Sequence, residues 1–231
     1  MIELDLGELP ELADLPLAAV GGYRGFEPKG PSAEPLAGRV QVGGPHGFAI
    51  TKARVAGDEG LGRFIGKDPA SAYYYVWLGI TFVTYAGPRL DAAQLRLVLT
   101  AAPGAPAPFA LSVRPAAEGV AQKVGRKVTL GSELALPGAV KADVDVEASR
   151  DYERTKLFVR GLGLGGPTPG WEFTRAPGKL LEGSCLLEVV VQARLGARIT
   201  VSGTVTAQTT GGLPFRARAE LPSPLAFSGD I

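Results

Sequence analysis

Lys156–Phe173 reads KLFVRGLGLGGPTPGWEF. Within it, Gly161, Gly163 and Gly166 have the G-x-G-x-x-G spacing that opens a dinucleotide-binding unit, and they directly follow an apolar run. Glu182, 21 residues past Gly161, even has the spacing of a ribose-binding acid. Such a site rests its pyrophosphate on a helix that begins inside the glycine motif. Here the next residues are PTPGW, and two prolines with a glycine forbid a regular helix. The stretch therefore reads as an irregular connection that leaves one strand near Arg160 and re-enters at Trp171, with no nucleotide and no other cofactor expected.

With that α/β reading set aside, period-2 alternation dominates the chain. Strands are expected near Arg39–Val42, Phe48–Val55, Tyr73–Thr84, Ala92–Thr100, Phe109–Arg114 and Arg126–Leu134. More follow near Val140–Ala148, Tyr152–Arg160, Leu186–Ala193, Ala197–Gln208 and Phe215–Leu221. Helical periodicity never lasts beyond about two turns, leaving only short turns near Pro10–Leu15 or Asp91–Gln94. The 32 glycines and 19 prolines, about a fifth of the chain, fit frequent turns. The expected fold is all-β: an antiparallel, jelly-roll-like β-sandwich of about ten to twelve strands. It would span residues 39–231 as a single domain, with a loop-rich N-terminal arm, residues 1–38, packed on its core.

Two hairpins specify their own register. In Ala197–Leu221, a two-residue turn at Gly211–Gly212 would set Val205 against Arg218. A three-residue turn at Gly211–Leu213 sets Val205 against Ala219 and Ala207 against Ala217, so the apolar faces coincide. Ser202, Thr204, Thr206 and Gln208 then share a wet face with Arg216, Arg218 and Glu220. In Val140–Arg160, a turn at Ser149–Arg150 would place Asp145 opposite Arg154, Asp143 opposite Lys156, and Ala142 opposite Leu157. That register turns the D-x-D-x-E row of Asp143, Asp145 and Glu147 into a face of exposed ion pairs, and no metal is expected there.

Composition narrows the functional classes. Twenty-four basic against 23 acidic residues give a net charge of +1, so no global field attracts nucleic acid. The single cysteine, Cys185, cannot form an intrachain disulfide and reads as a small buried hydrophobe. The acidic opening MIELDLGELPELADL lacks the basic start of a signal peptide, and no apolar run is long enough for a membrane helix. A cytoplasmic setting with no membrane span is the resulting expectation. His46 lies in GGPHG, read as a turn, and Ser184–Cys185 lack a nucleophile elbow, so no catalytic residue is nominated.

One stretch bears on function. In Tyr73–Trp77, YYYVW, alternation sends Tyr74, Val76, Leu78, Ile80 and Phe82 toward the core. Tyr73, Tyr75 and Trp77 then lie on the opposite face, the candidate ligand or partner contact. They need a cover. The N-terminal arm, with Leu4, Leu6, Leu9 and Leu12, is the first candidate, a second chain the next and a stacked sugar the third. The expected function is a non-enzymatic structural or protein-interaction module, with a protein partner or self-association. The alternatives are a carbohydrate- or small-ligand-binding module using that aromatic face, and a carboxylate-based hydrolase on a sandwich.

Overall fold

A computed structural model describes residues 2–5, 12–19, 39–55, 59–83, 89–120, 127–130, 157–175, 180–210 and 216–227. In chain order the strands are β1 (Ile2–Asp5), β2 (Ala13–Asp14), β3 (Ala18–Ala19) and β4 (Val40–Ala49). Helix α1 (Glu59–Lys67) precedes β5 (Ser71–Phe82), β6 (Arg89–Ala101), β7 (Phe109–Arg114), β8 (Ala117–Val120) and β9 (Lys127–Leu130). Next come β10 (Leu157–Leu162), β11 (Gly170–Thr174), β12 (Gly183–Arg194), β13 (Ile199–Thr210), β14 (Arg216–Glu220) and β15 (Leu225–Phe227).

The chain is an all-β antiparallel sandwich. The smaller sheet runs β2-β4-β5-β12-β7, and the larger runs β3-β14-β13-β6-β11-β10-β8. β15 shares with β14 the edge of β13 that faces away from β6. β1 and β9 form a separate two-stranded ribbon. Alternation does what the sequence demands. Tyr74, Val76, Leu78, Ile80 and Phe82 of β5 point inward with Leu187, Val189 and Val191 of β12. They meet Leu95, Leu97 and Leu99 of β6, Trp171 and Phe173 of β11, and Val201 and Val205 of β13. Phe82 and Phe173 touch across the layers with ring centroids 5.0 Å apart, as do Tyr74 and Phe227 at 4.6 Å. The β13–β14 register is the expected one, with Val205 opposite Ala219 and Ala207 opposite Ala217. Its turn lies outside the described residues, while Ser202, Thr204 and Thr206 are half-buried on the wet face.

Both flanks of the sandwich are closed by chain that crosses from one sheet to the other. On one flank, β2 pairs with β4 and β3 pairs with β14, so residues 13–19 join the edges of the two sheets. Leu15 and Leu17, between those short strands, are fully buried in the main core. On the other flank lies the glycine motif. Gly161 and Leu162 finish β10, and Gly170 begins β11. Between them, Gly165 donates to the carbonyl of Ala110 (2.8 Å) and Gly166 accepts from the Ala110 amide (3.0 Å), which satisfies the edge of β7. The carbonyls of Pro167 and Pro169 accept from Leu99 (2.8 Å) and Leu97 (2.7 Å) of β6. Proline suits this edge because only its acceptor is required. Gly163 sits at φ 75°, and a Cβ there would collide with the Thr168 carbonyl oxygen. The glycines let one backbone turn sharply and hydrogen-bond to both sheets, and no helix follows them.

Three expectations are corrected. α1 is a helix of nine residues where none was read. Its three glycines hide it from propensity, each costing about 1 kcal/mol relative to Ala. What carries it is packing of Phe64 and Ile65 on the small sheet. Glu59 in its first turn and Lys67 in its last also match the helix dipole. His46 is not in a turn: β4 runs through it with a register shift between Gly43 and His46, and it ends at Ala49 rather than Val55. Asp91–Gln94 lies inside β6, not in a helical turn. The Val140–Arg160 pairing, with Asp143, Asp145 and Glu147, lies outside the described residues except at its end. There Leu157 is paired with Val120 of β8, and β10 carries β11 on its other edge.

Candidate functional site

The outer face of the small sheet carries the aromatic strand. Register across four strands sorts that face into transverse rows. His46 of β4, Trp77 of β5, Glu188 of β12 and Arg114 of β7 form one row. Phe48, Tyr75, Val190 and Ser112 form the next, and Tyr73, Gln192 and Phe109 the one after. Tyr73, Tyr75 and Trp77 are brought together as their alternation implies, yet only 4%, 0% and 7% of their surfaces are exposed. They belong to a second hydrophobic cluster with Ile50, Val55, Leu186 and Val190, against which Phe48, Phe64, Ile65 and Leu111 pack.

Among the described residues, the cover is α1 and the turn after β4. Leu6 and Leu9 of the arm, and the side chain of Leu4, lie outside the described residues. Phe64 of α1 lies 5.5 Å from Tyr73, and Phe48 lies 5.5 Å from Tyr75 and 5.7 Å from Trp77. Arg54 caps the Phe48 ring at 4.5 Å. Of the arm's described residues, Leu12 reaches the same face at Gly79, beyond Trp77. No ring face of the three is left open for a sugar to stack upon.

The row through Trp77 holds the site's charge. Burial raises the Glu188 carboxyl above its ordinary range, opposed by the Arg114 guanidinium and by Tyr75. Burial likewise pushes the Tyr75 phenol upward, and the Glu188 charge adds to it. The Tyr75 hydroxyl interacts with that carboxyl but, like Trp77 Nε1, has no partner of good hydrogen-bond geometry among the described residues. His46 is exposed and tilted against Trp77 at 5.8 Å. Glu188 and Arg114 were not singled out from sequence. The available signal was a lone acid at an outward position within LLEVVV.

Glu188 has a testable consequence. In the unfolded chain it ionises near the ordinary 4.5, whereas in the fold it keeps its proton to higher pH. As pH rises above 4.5, the unfolded state releases its proton first, so wild-type stability falls. Glu188→Gln is therefore expected to melt above wild type at pH 7 and to lose that advantage below pH 4.5. Thermal melts across pH check this, and an advantage that grew toward acid would contradict it.

Cys185 faces the main core, and burial pushes its thiol up to about 12, with the Glu188 charge adding to the effect. A thiolate is the reactive form. Native protein at pH 8 is expected to leave an aromatic disulfide reagent uncleaved, and urea-unfolded protein to react fully. Ser184 shares a 2.9 Å hydrogen bond with Thr81 on the neighbouring strand. Among the described residues, no three His, Cys, Asp or Glu side chains gather into a metal-holding group. Nor is any described helix long and apolar enough to cross a membrane.

No protein-family model matches the chain, and no curated protein matches it. Among solved structures it is similar to the Clostridium perfringens NetB toxin in the membrane inserted form. The two share 6% identity over 94% of each chain, with a TM-score of 0.32. That score is too low to establish a shared fold.

Proposed function

We propose that the protein is a non-enzymatic protein-interaction module that works through the outer face of its larger sheet. The observation that carries this reading is an asymmetry. The outer face of the small sheet is sealed by α1 and its own aromatic cluster, whereas the larger sheet presents Phe158, 40% exposed, among arginines. Register sets Phe158, Thr174, Ala92, Gln208 and Arg216 in one row, and Arg160, Glu172, Gln94, Thr206 and Arg218 in the next. Aromatic and arginine side chains among mostly neutral polar ones, with Glu172 the acid in these rows, resemble the anchors of protein interfaces. The hydrolase reading has less behind it. Glu188 shares its row with His46, Trp77 and Arg114 and with no second carboxylate.

The test is a quantitative pull-down with sedimentation, comparing wild type with Phe158→Ser/Arg218→Glu. Both positions are exposed, so the melting temperature should stay near wild type. Partners, or a second copy of the chain, should be retained by wild type and lost by the variant. An identical set of partners and an identical oligomeric state for both proteins would overturn the reading.

A further inference from the structure

We infer that one end of the sandwich is a docking surface for an anionic lipid bilayer, a peripheral contact separate from the sheet face just described. Four connections converge there. Ile199 pairs with Ala101, and the Ala102 amide donates to Arg198 (3.0 Å), which sets the Ala102–Pro108 loop beside the β12–β13 turn. The Leu195 amide donates to Ala70 (2.7 Å), which adds the link between α1 and β5. The bonds from Ala110 and Leu99 to Gly166 and Pro167 bring the glycine loop to the same end.

Two of the exposed large apolar side chains sit on these loops, Leu164 at 69% and Leu195 at 48%. The surrounding chain is apolar as well. Ala101–Phe109 reads AAPGAPAPF and Gly161–Gly170 reads GLGLGGPTPG, neither with a charged residue. Among the described residues, the charges at this end are mostly positive. Lys67, Arg194 and Arg198 are exposed. The nearby acid, Asp68, is held by the Ala70 amide (3.1 Å), Ser71 Oγ (2.6 Å) and Gln192 Nε2 (3.3 Å).

Separate leucines on loop tips, at an end that also exposes Lys67, Arg194 and Arg198, suit a bilayer better than a folded partner. A stable protein interface needs a continuous patch of about 800 Å² on each side. A bilayer accepts each protruding tip independently at the headgroup boundary, and basic residues near the surface add attraction to anionic lipids. Leu164 is held in place by the hydrogen bonds of its neighbours Gly165 and Gly166, so it protrudes from an anchored loop.

Vesicle co-sedimentation of the full chain tests this, with phosphatidylcholine alone and with about 30% phosphatidylserine. Wild type should pellet with the phosphatidylserine vesicles and be released as salt is raised. Leu164→Ser/Leu195→Ser should melt as wild type does and bind about tenfold or more weakly. Arg194→Gln/Arg198→Gln should weaken binding and flatten its salt dependence. Wild type remaining in the supernatant with both vesicles would overturn the inference, as would undiminished binding by the leucine variant. Equal binding to pure phosphatidylcholine would overturn the choice of an anionic surface. Loss of protein partners by the Phe158 variant is read in a different assay, so either proposal can fail while the other stands.

Discussion

Tyr75→Ala is expected to destabilise the protein by about 3–5 kcal/mol, the range for removing a buried aromatic side chain. For a chain of 231 residues that lowers the melting temperature by roughly 6–20 °C. Tyr75 is fully buried, and its removal would open a cavity between Phe48, Trp77 and the small sheet. Tyr75→Phe should change stability by less than about 1.5 kcal/mol, because the lost hydroxyl has no well-formed hydrogen bond to forfeit. The pair of variants separates two roles for this face. A second core loses stability when the ring is truncated and keeps it when only the hydroxyl goes. A ligand platform open to water would tolerate both changes and lose only binding. Thermal melts of the two variants decide it, and an unchanged melt for Tyr75→Ala would return the face to the candidate binding surfaces.

Trp171→Ala should be comparably severe, again about 3–5 kcal/mol, with cooperative unfolding shifted to lower denaturant at an unchanged slope. Trp171 is the second residue of β11, just after the glycine loop, and is fully buried between the sheets. It pairs with Leu95 on one side and Gly161 on the other, and its Nε1 donates to the Arg114 carbonyl at 2.9 Å. That bond runs from a strand of the larger sheet to the end of β7 in the smaller one, so truncation removes both core volume and a tie between layers. Trp171→Phe keeps most of the volume and loses the tie, and it should cost a fraction of the alanine variant. If Trp171→Ala and Trp171→Phe were equally mild, the stretch Gly161–Trp171 would not be the clasp that the hydrogen bonds describe.

Some of this was legible in the chain without coordinates, for a local reason. The two-residue period of a strand is written in neighbouring residues, so one-sided burial fixes both its faces and its register. The β13–β14 pairs follow from requiring Val205 and Ala207 to meet apolar partners. The two prolines of PTPG ruled out a helix after the glycine motif by covalent geometry alone. What the local pattern cannot encode is which distant segment comes to lie against a face. β5 finds β12 more than a hundred residues away, and the glycine loop finds the edge of β7. α1 has three glycines in nine residues and exists because Tyr73 and its neighbours offer Phe64 and Ile65 an apolar bed. That same contact turned Tyr73, Tyr75 and Trp77 from a candidate recognition surface into a second core. Alternation placed the three rings on one face, and the helix packed over them decided whether water could reach them.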